Sequence, residues 1–219
     1  MDMTEQKNDF GVGSVEQNII RMAVPMTVAQ ILNLLYNLVD RMYIGHIPGA
    51  SSLALTGVGI TFPIISMITA FANLFGMGGA PLCSMARGRR DYDAAKRYMQ
   101  NAFWILLAAG VVLTVTGYVI EKPLLYALGA SSVTYPYASS YLRIYLLGNM
   151  FVMVGIGMNP FINAQGFGTM GMVTVGLGAL VNIILDPLFI FVFHMGVEGA
   201  AIATIIAQFL SALWVLFFL

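Results

Sequence analysis

Along the chain, long apolar runs alternate with short polar links, and the runs predict six membrane-spanning helices. They cover Ile19–Ile44, Leu53–Ser84, Asn101–Val119, Tyr135–Met158, Thr169–Phe193 and Ala200–Leu219. The fifth reads TMGMVTVGLGALVNIILDPLFIFVF. As a helix it rises about 37 Å, enough to cross a hydrocarbon core of about 30 Å. A β-barrel reading fails, because the runs are continuously apolar and exceed the roughly 10-residue alternating segments of barrel strands. The pattern therefore predicts an all-α membrane bundle: a tail over 1–18, then a six-helix lobe over 19–219.

Inside the runs, the polar positions are patterned too. In the first run, Thr27, Gln30, Asn33, Asn37 and Asp40 recur every three or four residues. On a helix they fall within an arc of about 140°. Such a stripe faces protein or water rather than lipid. It predicts a polar cavity wall containing Gln30, Asn33 and Asn37, with an amide-glued helix interface as the alternative. Pro25 removes one ladder hydrogen bond and marks a candidate hinge. In the fifth run, Thr174, Gly178, Asn182 and Asp186 lie four apart and form one column. Pro187 has no N–H, so the carbonyl of Ile183 is expected to be a free acceptor. Gly171, Gly176 and Gly178 are expected to allow close helix approach.

Composition sharpens this. The 219 residues are 59% hydrophobic and 9% charged, with mean hydropathy +0.84. Soluble domains carry about 25% charged residues. Net charge is zero, which offers nothing to a nucleic acid. The single Cys83 excludes an internal disulfide. The stretch before Ile19 lacks the apolar core of a signal peptide. Seven of the ten lysines and arginines (Lys7, Arg21, Arg87, Arg89, Arg90, Lys96 and Arg97) fall before or within the start of run one and between runs two and three. Arg41 and Lys122 take the opposite side, and Arg143 lies within run four. The positive-inside rule then makes the N-terminus cytoplasmic in a cell membrane, with runs one, three and five pointing outward.

That topology places the two acids at one depth. Asp40 lies about 31 Å along the first helix, and Asp186 about 25 Å along the fifth. Thr204 and Tyr141 enter about 6 and about 9 Å from the outer ends of runs six and four. Asp40, Asp186, Asn182, Thr204 and Tyr141 are thus predicted to share an outer layer. Two carboxylates in a low-dielectric pocket cannot both stay ionised without a cation, and they titrate as a coupled unit. The set is a candidate proton site and, through the Asp40, Asn182, Asp186 and Thr204 oxygens, a candidate Na⁺ site. The alternative is a structural pair neutralised by Arg41 or Arg143. Tyr36, Tyr137, Tyr141, Tyr145 and the 15 methionines offer a soft wall for apolar cations, or simple filler. Asn163, in the link after run four, joins the cavity candidates. His46 and His194 read as interfacial. Gly166-Phe-Gly168-Thr-Met-Gly171 matches a dinucleotide fingerprint but opens a membrane helix, where that motif has no strand to follow. No zinc, Walker or Ser-His-Asp pattern is present, and no cofactor beyond H⁺ or Na⁺ is expected.

Several stretches carry a family resemblance: NLVDRMYIGHIPG, ALTGVGITFPI, GMGGAPLCSMARGRRDYDAAKRY, NPFINAQGFGTMGM, NIILDPLFIF and GVEGAAIATIIAQ. In order, they resemble the N-terminal lobe of multidrug and toxic compound extrusion (MATE) transporters. The resemblance implies two six-helix lobes in a chain about twice this length, exporting cationic amphipathic compounds in exchange for H⁺ or Na⁺. It also implies coupling acids at Asp40 and Asp186, with Asn182, Thr204 and Tyr141 beside them and a bend at Pro25. The partners expected are small cationic drug-like substrates, membrane lipid, and either a second lobe or a second copy of this chain. A lipid-linked oligosaccharide flippase of the same superfamily is the alternative. It would need a basic cavity, whereas the run interiors offer two acids and Arg143. An intramembrane enzyme lacks its motif, and an ion channel differs by lacking exchange stoichiometry.

Overall fold

The computed structural model describes residues 14–48 and 51–219; the tail expected over 1–18 lies largely outside them. The described residues form seven α-helices and one π-helical turn: α1 Val15–Ile44, α2 Ser51–Gly88, α3 Tyr92–Ala127, α4 Tyr135–Leu147, α5 Asn149–Ala164, α6 Gly168–Pro187, the π-turn Leu188–Val192, and α7 Gly196–Phe218. Five helical segments are long and apolar enough to cross a bilayer, and α4 with α5 makes a sixth, broken span. The all-α membrane bundle expected from the pattern is what forms. The end at which α1 begins is called proximal below, and the end at which it finishes distal.

Helix α1 starts where Ser14 caps it, its side chain accepting from the Gln17 N–H at 3.3 Å. It then runs unbroken through Pro25. Helix α3 outruns its predicted span at both ends. Lys96 and Arg97 ride on its first turns and Lys122 on its last, so these three are helical rather than in links. The extension also brings Glu121 inside: it is 3% exposed, although the apolar pattern stops at Val119.

The predicted fourth span requires correction. It is two helices, bent by 60° at the break between Leu147 and Asn149. The break falls at a crowded point. A Cβ on Gly148 would collide with the Ile205 side chain of α7, so only glycine fits there. Asn149, fully buried, turns back to α3 and donates to the Gly110 carbonyl at 3.0 Å and the Thr114 hydroxyl at 3.1 Å. Carbonyls freed near a break inside lipid must find new donors. The Thr114 hydroxyl donates to the Leu146 carbonyl at 3.4 Å, and the Tyr118 hydroxyl to the Arg143 carbonyl at 2.6 Å. Periodicity is blind to this break because both halves are apolar.

Helices close on one another through small residues. Cβ atoms built on Gly76, Gly79 and Gly157 would meet, respectively, the Gly157 backbone, Phe161 and Leu106, locking α2, α3 and α5 together. On α6, Gly171 and Gly178 are similarly tight against Asn163 and Ser211, whereas Gly176 has ordinary room beside Leu32. Helix α1 stands apart: it packs mainly on α6 and barely touches α2, leaving a cleft between α1 and the rest.

Backbone cannot swing aside as a side chain can, so Gly76→Ala is expected to destabilise the fold by about 1–3 kcal/mol. Gly78→Ala, where an added Cβ meets nothing within 4 Å, is expected to be neutral or slightly stabilising. Thermal unfolding of both variants in detergent checks this; equal melting temperatures would refute the close approach.

Candidate functional site

The α1 cleft opens into two cavities that share Asn33, Tyr36, Thr69, Asn73, Thr204 and Gln208 among their walls. The proximal cavity, about 650 Å³, is lined by Met22, Met26 and Gln30 of α1, and by Asn159 and Asn163 of α5. The distal cavity, about 960 Å³, is lined by Asn37, Asp40, Tyr141 and Tyr145 as well. Membrane helices tolerate polar side chains where these face a cavity or one another. The α1 stripe follows that rule from Gln30 onward, while Thr27 lies outside both cavities and is exposed. Along the stripe, Asn37 donates to the Asn33 carbonyl at 2.8 Å and its Oδ1 at 2.9 Å, which ties two turns of α1 together.

At the distal end of the cleft, the five residues expected at one depth come together. The Asn182 amide donates to Asp186 Oδ1 at 3.1 Å and to Thr204 Oγ1 at 3.4 Å. Thr204 sends its own proton to the Ala200 carbonyl at 3.0 Å. Tyr141 and Asp40, from α1, share the distal cavity's wall with Thr204, and Asp40 is near enough to Asp186 for the two carboxyl groups to act on each other electrostatically. Asp186 is fully buried, and Asn182 is 2% exposed. Tyr36 flanks both acids, and Tyr141 stacks on Tyr145 with centroids 6.3 Å apart.

Three buried oxygens in this group have no hydrogen-bond partner: Asp40 Oδ1, Asn182 Oδ1 and Asp186 Oδ2. A buried polar atom without a partner costs about 1–3 kcal/mol, and this group holds three of them. All three are hard oxygen donors of the kind that suit a proton or a small hard cation. Among the described residues, no group of three or more His, Cys, Asp or Glu side chains gathers as a metal cluster.

Neither arginine considered as a neutraliser forms an ion pair with Asp40 or Asp186, although Arg41 still acts on Asp40 electrostatically. The Arg41 guanidinium lies over the Phe62 ring, 4.7 Å from its centroid. Arg143 pairs with Glu121, Nε to Oε2 at 2.7 Å. Two other sequence candidates land elsewhere. Tyr137 lines neither cavity, because its Cβ packs against the Gly57 face of α2. His46 turns its Nδ1 to the Met42 carbonyl at 2.6 Å, at the distal cavity's wall.

Thr69, Asn73, Asn159 and Gln208 also line the cavities, although they lie off the α1 stripe and the α6 column from which the site was predicted. Thr69, Asn73 and Gln208 are polar residues inside apolar runs and Asn159 directly follows one, and that alone could have flagged them. Asn159 donates to the Gly171 carbonyl at 3.3 Å.

Residues 25–188 match the MatE family profile. The chain belongs to the MatE family. It is 29% identical over 210 residues to the multidrug export protein MepA of Staphylococcus haemolyticus, covering 96% of this chain and 46% of that protein. A crystal structure of a MATE protein in the bent conformation superposes on the whole chain at TM-score 0.90 and 27% identity, using 48% of that protein. A structure in the straight conformation does so at 0.89 and 27%, using 47%. The chain thus spans about half the length of the relatives it matches, and the MatE family is one of transporters rather than enzymes.

Asn182 holds Asp186 in place by a single amide bond within one helix turn. Asn182→Ala is expected to lower stability by about 1 kcal/mol, read as a lower melting temperature in detergent. A variant as stable as the parent would show that the bond does not order the acid.

Proposed function

We propose that this chain forms one lobe of a secondary active multidrug efflux antiporter in the cell membrane, its N-terminus cytoplasmic, exporting cationic amphipathic compounds in exchange for H⁺ or Na⁺. The observation that carries this reading is the trio of unpartnered oxygens on Asp40, Asn182 and Asp186, of which Asp40 and Asn182 line the cleft while Asp186 is fully buried beside Asn182. Support also comes from the multidrug export protein MepA among its relatives. The partner of this lobe is a second six-helix lobe or a second copy of the chain.

The geometry suggests a simple exchange cycle. With the acids ionised, the cleft is electronegative and its tyrosine and methionine walls attract an apolar cation. A proton or Na⁺ at Asp40 and Asp186 cancels that charge and weakens drug binding. Because Asp40 rides on α1 and Asp186 on α6, the ion also pulls these two helices together. Pro25 lets α1 bend in response, since the ladder already lacks a hydrogen bond there. Exchange follows if ion and drug favour opposite states. A lipid-linked oligosaccharide flippase would want a basic cavity; among the described residues, Arg41 is the one arginine in the two cavity walls, and no lysine lines them.

In a protein carrying this lobe and its partner, Asp40→Asn and Asp186→Asn are each expected to cut gradient-driven drug efflux from proteoliposomes by at least about tenfold, the loss of roughly 1.4 kcal/mol of coupling. Imposing a pH gradient and a Na⁺ gradient separately identifies the ion. Efflux unchanged in both variants would overturn the assignment of these acids.

A further inference from the structure

The buried acid that the transport reading leaves unused is Glu121, in the last turns of α3. Its Oε1 accepts from the Ser139 hydroxyl and from the Tyr135 hydroxyl at 3.3 Å, and its Oε2 from Arg143 Nε at 2.7 Å. The site is built rather than incidental, with Glu121 3% exposed and Ser139 7%. The arginine is a different case. Its side chain is 58% exposed, and it spends only Nε on the carboxylate. No described residue accepts from its two Nη groups. A guanidinium thus stands with one edge clamped and the other edge, four N–H groups in a plane, turned outward.

Arg143 is tied to α3 through Glu121 and Tyr118, and that helix carries an exposed apolar face. On α3, Trp104, Val111, Val115 and Val119 form an exposed apolar row, 66%, 51%, 57% and 76% accessible. The row ends one turn later at the exposed Lys122. Tyr118, beside the row, holds the Arg143 carbonyl, and Tyr126 stacks on Tyr135 with centroids 5.3 Å apart. Tyrosines at this level are what a membrane interface collects. Arg143 sits eight residues into α4, about 12 Å along its axis. That is near the hydrocarbon edge, given interfacial layers of about 6 Å per side. From there an arginine stem reaches the headgroup level. Free N–H groups at that depth have no water-rich surroundings to satisfy them all, and a planar fork with a free edge matches two oxygens of a phosphate.

We propose that Arg143, clamped by Glu121 and assisted by Lys122, is a binding site for the phosphate of a membrane phospholipid, whose acyl chain lies along the Trp104–Val119 row of α3. The site stands apart from the cleft acids and does not depend on the transport cycle. It fastens the α3–α4 turn to one leaflet.

Native mass spectrometry of the detergent-purified chain tests it, with phosphatidylglycerol, phosphatidylcholine and phosphate-free diacylglycerol as probes. Arg143→Gln alone strands a buried carboxylate and risks misfolding, so the decisive variant is Glu121→Gln with Arg143→Gln, checked by circular dichroism and melting temperature. If the pair only holds the fold, the double variant binds lipid like the parent. The proposal expects the double variant to lose one retained phospholipid and to bind both phospholipids about tenfold more weakly. Diacylglycerol binding should not change. Glu121→Gln alone keeps the guanidinium and should keep the lipid. Equal phospholipid binding by the parent and the folded double variant overturns the proposal, as does equal parent binding of phospholipid and diacylglycerol; either result would leave the free edge to a carboxyl group of a polypeptide partner.

Discussion

A fully buried carboxyl group with an unanswered oxygen is the constraint around which this lobe is arranged. Asp186 sits at zero exposure within a membrane-crossing helix, where water offers no relief. Everything near it serves to make that position tolerable. Asn182, one turn earlier, gives it one donor. Gly178 brings α7 close enough to put Thr204 within reach of that amide. Asp40 arrives from α1 as a second acid rather than as a base. Among the described residues, no lysine or arginine forms an ion pair with either acid.

The same reasoning explains why α1 stands away from α2. A helix packed on all sides would bury the stripe from Gln30 to Asp40 among apolar neighbours. Resting mainly on α6, it turns the stripe into a cleft wall. The broken α4–α5 span solves a related problem. It redirects the chain inside the bundle, and α3 hydroxyls take over the carbonyls near the break. Polar groups within this protein are therefore of two kinds. Some, like Thr114 and Tyr118, are donors that answer backbone carbonyls. Others, like Asp40 and Asp186, keep oxygens free.

Two buried acids show how differently a carboxylate can be used. Glu121 has an arginine and two hydroxyls and is almost fully answered. Asp186 has a single amide. The first is a clamp, and its chemistry is passed outward through the arginine it holds. The second is a receptor. Burial alone does not separate them; the count of donors does.

How much was legible in advance follows from period and depth. Span number, the cavity-facing stripe and the shared layer of Asp40, Asp186, Asn182, Thr204 and Tyr141 came from apolar length and from the period and rise of the α-helix, all properties of one helix at a time. Lateral neighbours are not. Tyr137 was expected in the cleft, yet it lines neither cavity, and its Cβ sits close against Gly57 of α2. Glu121 lay beyond an apolar run and looked like link; α3 continued and buried it. The 60° break of the fourth span is invisible in hydropathy because both halves are apolar. Sequence by itself determined what each helix carries and how deep. Only the tertiary structure decided which oxygens are left without a donor, because a hydrogen bond between helices depends on their separation and rotation.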